Sequence, residues 1–162
     1  MTQYDLVIIG SGPGGRAAAI QAGKLKRRVL VIDRKDRFGG VSVHTGTIPS
    51  KTLRETVLNL SGWRERSFYG RSYRVKDEIG ADDLKMRLHK TLDYEVDVLE
   101  HQFNRNHVDT MSGVARFISP SEVEVTADNG EVTTVSAAHF LIATGTYTYR
   151  PDNVPFNGTT IL

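Results

Sequence analysis

The chain has 162 residues, 39% hydrophobic and 25% charged, a formal net charge of +2 and no cysteine. That balance suits one ordinary globular domain and excludes collagen-like, coiled-coil and disordered classes. It also excludes a disulfide framework, thiolate metal ligands and thiol catalysis in this chain, and so small a net charge gives no case for nucleic acid as a partner.

No stretch approaches the ~18 consecutive apolar residues of a membrane span. The first apolar run, Leu6 to Ile9, is too short for a signal peptide and runs into glycines. A cytoplasmic location is expected, without a membrane partner.

In chain order, Tyr4 to Ile9 is a short apolar run of the kind that forms a strand buried on both faces. It enters Gly10-Ser11-Gly12-Pro13-Gly14-Gly15, and Arg16 to Leu25 follows, rich in good helix formers. Val29 to Ile32 gives a second buried strand that ends at Asp33. Strand, glycine turn, helix, strand and terminal acid within ~30 residues form the unit that binds a dinucleotide. Gly10 permits the tight turn, Gly12 leaves room for a pyrophosphate, and Gly15 lets the helix pack closely on the strand. Pro13 and Gly14 complete a loop whose free N–H groups and helix dipole hold phosphates. Asp33 is placed to accept hydrogen bonds from ribose hydroxyls. Arg34 and Lys35 beside it would suit a 2′-phosphate, but the Asp33 charge repels one and favours plain ribose. The alternative is a glycine turn in a βαβ unit with no ligand.

A second glycine-containing stretch runs from Phe38 to Lys51. Pro49 suits the first turn of a helix, where its missing N–H costs nothing, and Leu53, Val57 and Leu58 give that helix an apolar face. Thr45 and Gly46 precede its N-terminus, another anion-friendly place. Lys51 falls in the first turn against the helix dipole, which points to a role other than stability.

Gly39-Gly40-x-x-x-x-x-Gly46-x-Ile48-Pro49-Ser50-Lys51, some two dozen residues after the dinucleotide fingerprint, resembles the FAD domain of the pyridine nucleotide–disulfide oxidoreductase superfamily. Lipoamide dehydrogenase, glutathione reductase and mercuric reductase belong to it. Residues 45–55 and Tyr69-Gly70-x-Ser72-Tyr73-Arg74-Val75-Lys76-Asp77 resemble its soluble pyridine nucleotide transhydrogenase branch more closely. The resemblance covers roughly the N-terminal third of a full-length member. It implies FAD as cofactor, bound in part by Gly39, Gly40, Ser42, Thr45, Gly46 and Lys51. The lysine matching Lys51 approaches the flavin N5 region, where positive charge stabilises the reduced, anionic ring. The disulfide reductases carry cysteines at the positions of Ser42 and Thr47, so dithiol chemistry there is excluded. The transhydrogenase branch usually keeps the first of these cysteines, which this chain lacks. His44, between them, is expected to be an exposed or hydrogen-bonded loop histidine rather than a proton-transfer group.

Gly62 to Ala81 is polar with scattered aromatics and reads as a loop or a poorly periodic connector. Asp82 to Asn106 is the longest helical pattern, with Leu84, Leu88, Leu92, Val96, Leu99 and Phe103 on one stripe and Asp82 and Asp83 at its start. Strands are expected at 108–111, 113–118, 122–125 and 132–135, with a hairpin signal at Asp128-Asn129-Gly130, together forming a small antiparallel meander. The resemblance places the backbone of Val114 and Ala115 against the FAD adenine. His139 to Ile142 reads as a buried strand breaking at Ala143-Thr144-Gly145, which resembles the family's second FAD motif. There Tyr147-Thr148-Tyr149 intervenes before Arg150-Pro151. No metal site is expected.

The expected architecture is α/β: a Rossmann-like FAD/NAD(P)-binding domain over residues 1–162 with a parallel sheet and a small antiparallel meander. The nicotinamide-binding and dimerisation domains of the family are absent from it. The expected function is FAD binding within a transhydrogenase-like flavoprotein, incomplete for catalysis alone. NAD(P)H and NAD(P)⁺ are partners if the missing domain is supplied, and a homo-oligomer is an option. The alternatives are a non-catalytic nucleotide-binding module and a simple NAD-dependent dehydrogenase.

Overall fold

A computed structural model of the chain describes residues 3–161. The elements are β1 (Tyr4–Ile9), α1 (Pro13–Lys24), β2 (Val29–Asp33), α2 (Gly40–His44), α3 (Thr47–Leu60), a 3-10 turn (Trp63–Glu65), α4 (Arg66–Tyr69), α5 (Ala81–Arg105), β3 (Val108–Ser112), β4 (Val114–Ser119), β5 (Glu122–Thr126) and β6 (Val132–Ile142). The six strands form a sheet in the order β3-β2-β1-β6-β5-β4. β2 lies parallel to both β1 and β3, and β1 is parallel to β6. β4, β5 and the first half of β6 are antiparallel.

The uninterrupted apolar runs of β1 and β2 follow from a three-layer arrangement, because a strand covered on both faces has no polar side to alternate with. Ile8, Val29 and Val31 face a helical layer and pack with Ala19 of α1, Leu99 and Phe103 of α5, and Phe38. Val7, Leu30 and Ile32 face the other way and pack with Val123, Val125, Val135 and Ala137 of the antiparallel strands. The meander thus folds back over the parallel sheet.

The structure corrects the expected meander in two places. The strand at 108–111 belongs to the parallel sheet: β3 pairs with β2, from Val29↔Val108 to Asp33↔Ser112. The expected strands at 132–135 and 139–142 are one strand of 11 residues. Its first half pairs with β5, and from Ala137 onward it pairs with β1. Residues 139–142 are also less covered than their apolar sequence suggests, with Leu141 37% and Ile142 65% exposed. Beyond Ala137 only β1 is paired with β6 among the described residues.

The connector after α3 is partly helical rather than a loop. Tyr69 and Tyr73 stack at 5.0 Å, and the Arg66 guanidinium lies 5.5 Å from the Trp63 ring centre. α5 starts and ends within a residue of its expected bounds. At its start the Gly80 N–H donates to Asp83 at 3.0 Å and the Lys76 ammonium donates to the same carboxylate at 2.6 Å. The Lys76 hydrogen bond, aided by the Gly80 N–H, holds the Asp83 carboxyl below its ordinary pKa. Among the described residues no helix is long and apolar enough to cross a membrane.

Candidate dinucleotide-binding cleft

β1 sits where the strand order reverses, with β2 on one side and β6 on the other. In an open parallel sheet this switch point leaves a crevice at the carboxyl ends of the strands. A cleft of about 850 Å³ opens there, walled by the glycine loop after β1, the turn after β2, α2 and the segment after β6. Of the residues expected from sequence, Gly10, Gly12, Pro13, Gly14, Asp33, Arg34, Gly40, Thr45, Ala143, Thr144 and Gly145 line it. Three stretches of the chain, 10–14, 33–45 and 143–148, therefore meet at one site.

The glycines divide into two kinds. Gly10 has φ +110°, and a Cβ there would collide with the Ala143 carbonyl. Gly15 is buried, and a Cβ there would strike the carbonyl of Gly10. Both are glycine because the fold closes on them. At Gly12 and Gly14 a Cβ would meet nothing within 4 Å. Gly12 is extended, with φ −63° and ψ −178°, a conformation any residue adopts. The fold does not require glycine there, and Gly12 lines the cleft. No side chain caps α1 at Gly12, and Pro13 is its first residue. Its leading N–H groups are thus left for an anion.

Asp33, at the end of β2, is tied to the glycine loop. The Ser11 N–H and hydroxyl both donate to Asp33 Oδ2, at 2.8 and 2.5 Å. The Lys35 N–H donates to Asp33 Oδ1 at 3.2 Å. Ser11 Oγ in turn accepts the Gly39 N–H at 2.9 Å. The second glycine turn is pressed onto the first: a Cβ on Gly40 would come 2.8 Å from the Gly12 Cα. Arg34, Lys35 and Arg37 add positive charge to the same wall, although Arg37 is also paired with Asp93 of α5 at 2.6 Å.

Other expected residues stand outside the cleft. Gly39 and Ser42 line a smaller groove of about 360 Å³ along the outer side of α1, and the Ser42 hydroxyl donates to the Gly39 carbonyl at 3.2 Å. Gly46 precedes α3, its N–H donating to Val41 O at 2.6 Å. α3 starts two residues before Pro49, so Lys51 is its fifth residue rather than part of the first turn. The side chain is exposed. Val114 and Ala115 are not in the cleft lining, but β4 begins beside its acid end, where the Gly113 N–H donates to Asp33 O at 2.8 Å. His44 does line the cleft. Its Nε2 lies 3.0 Å from the Arg37 carbonyl and 3.1 Å from that of Phe38. Carbonyls accept only, so Nε2 carries the proton and the ring braces the loop. Sequence reasoning missed α2 and the role of Ser11. The signal for Ser11 was its position between the first two glycines, inside the fingerprint itself.

The fold and cleft are those of a dinucleotide-binding flavoprotein-type domain, and residues 4–160 match the family model for pyridine nucleotide-disulphide oxidoreductases. The chain belongs to that family. All of it aligns, at 48% identity, with the soluble pyridine nucleotide transhydrogenase of Mycobacterium tuberculosis, covering 35% of that protein. The transhydrogenase of Colwellia psychrerythraea is 34% identical over 95% of this chain and 33% of its own length. The chain thus spans about a third of the length of these relatives. A solved structure of the flavoprotein disulfide reductase RclA from Escherichia coli, in a Cu(II) complex, shares the fold with a TM-score of 0.71 at 23% identity, over 94% of this chain and 31% of that one.

Proposed function

We propose that this chain is the FAD-binding part of a flavoprotein oxidoreductase, and that the whole protein is a soluble pyridine nucleotide transhydrogenase. The open space at Gly12, at the mouth of an uncapped helix, carries this reading: glycine there serves no folding need, and a bound pyrophosphate explains it. FAD is the cofactor. Gly12, Pro13 and Gly14 hold its pyrophosphate, Asp33 its adenosine ribose, and Ala143 to Gly145 close the opposite wall. FAD supplies a two-electron carrier through which a transhydrogenase passes reducing equivalents from NADPH to NAD⁺. This chain has no cysteine, so no thiol of its own takes part. Lys51, exposed in the second turn of α3, is assigned by family resemblance to the flavin ring, where its charge favours the reduced form. Arg34 and Lys35 balance the phosphate charge. The name of the relatives, soluble, supports a cytoplasmic location.

The purified chain is titrated with FAD and with NAD⁺, following flavin fluorescence quenching and calorimetric heat. Saturable FAD binding tighter than that of NAD⁺ is expected. Tighter NAD⁺ binding would instead support a simple dehydrogenase, and no binding of either would support a module without a nucleotide.

A further inference from the structure

Ser11 is fully buried, at 0% exposure. A buried hydroxyl is costly unless it is hydrogen-bonded. Thr56, also a buried hydroxyl residue, bonds within its own helix to Thr52 O. Ser11 instead reaches two distant segments, Asp33 and Gly39. The directions of these bonds are fixed by chemistry. The Gly39 N–H can only donate, so Ser11 Oγ accepts from it and directs its own proton to Asp33. At 2.5 Å that bond has the short length of a hydroxyl donating to a carboxylate.

The acceptor count at Asp33 then closes. Oδ2 receives two donors, both from Ser11, and is saturated. Oδ1 receives the Lys35 N–H and keeps one lone pair. Asp33 lines the cleft, and so it presents one acceptor there in a fixed orientation. The same serine holds Gly39, and hence the turn that presses Gly40 onto Gly12.

We propose that Ser11 is the positioning residue of the nucleotide site: it clamps Asp33 so that Oδ1 alone receives a ribose hydroxyl, and it fixes the Gly39–Gly40 turn against the phosphate loop. The clamp is a property of the fold, whereas its role toward ribose rests on the FAD assignment above.

The test compares wild type, Ser11→Ala, Ser11→Cys, Asp33→Ala and the Ser11→Ala/Asp33→Ala double variant by FAD fluorescence quenching and by amide hydrogen exchange. Ser11→Ala raises the FAD Kd about ten- to a hundredfold, the range for losing a hydrogen bond to a charged group. It speeds exchange of the Gly39 amide and leaves the amides of β1 and β2 unchanged. Ser11→Cys fills the space with only a weak donor and behaves like Ser11→Ala. The double variant binds more weakly than Asp33→Ala, through loss of the Gly39 tie, but by less than the product of the two single effects, because Ser11 acts in part through that acid. Wild-type FAD affinity in Ser11→Ala, or wild-type affinity restored by Ser11→Cys, overturns the positioning role. Unchanged Gly39 exchange overturns the clamp. A wild-type chain that binds no FAD overturns the cofactor assignment and the ribose role with it, while Gly39 exchange still decides the clamp. If Ser11→Ala does not fold, the same two readouts are taken from Ser11→Cys.

Discussion

At the scale of single residues, the fingerprint glycines separate folding from binding. Gly15 has no room for a side chain, since a Cβ would meet the carbonyl of Gly10. Gly15→Ala is therefore expected to destabilise the chain by about 1–3 kcal/mol, the cost of overpacking against groups that cannot move aside. Gly12 has room and an ordinary extended conformation, one that also suits the residue before a proline. Gly12→Val should leave the melting temperature within a few degrees of wild type and abolish FAD binding, because the side chain occupies the phosphate position. Thermal melts alongside FAD titrations check both. A folded Gly12→Val chain that keeps its FAD affinity would remove the phosphate-loop assignment.

At the scale of elements, the start of α5 gives a pH-dependent expectation. Asp83 has its carboxyl pKa lowered by the Lys76 ammonium and the Gly80 N–H. A carboxyl whose folded pKa lies below its unfolded value stabilises the fold above the unfolded pKa, and that contribution is lost as pH falls through the folded one. Asp83→Asn should therefore lower the melting temperature at pH 7, and the difference should narrow as pH falls through the folded carboxyl's titration, where wild type loses the same contribution. A difference that persists undiminished at low pH would assign the effect to packing instead. The element scale also shows how far the sequence could be read. β1, β2 and α5 were legible because a strand with both faces covered is written as a continuous apolar run, and a long helix as a repeating stripe. β6 was not. Its middle, Ser136-Ala137-Ala138, is short in side chain and low in strand propensity, yet it is where the strand passes from β5 to β1. Register with two different partners holds it extended, a tertiary effect absent from local pattern. α2 was missed because five residues between two glycine-containing turns carry no period. Within the site, the glycines, Asp33 and Ala143 to Gly145 could be found by motif. The tie from Ser11 to Asp33 and Gly39 required three segments to be brought together.

At the scale of the whole molecule, coverage of the sheet is uneven. The core beneath α1 and α5 is built from β1, β2 and β3, with Ile8, Val29, Val31 and Val108 as its strand residues. The antiparallel layer is built on Val7, Leu30 and Ile32. The second half of β6 shares less of either cover: Leu141 and Ile142 are exposed, and beyond Ala137 β1 alone is paired with it among the described residues. An apolar strand with an open edge offers unpaired N–H and C=O groups to another chain, and charged side chains, lysine above all, are the usual means of blunting such an edge. The isolated chain should therefore self-associate as its concentration rises, with added β-structure. Ile142→Lys should suppress that association with little loss of stability, because its side chain is already 65% exposed. Ile142 pairs with Ile9 just before the cleft, so the variant must also be tested for FAD binding, which is expected to remain within a few-fold of wild type. Sedimentation velocity over a concentration series, run beside a thermal melt, measures both consequences. Equal association of wild type and Ile142→Lys would place the adhesive surface elsewhere, with exposed Trp63, Phe68 and Tyr69 beyond α3 as the next region to substitute.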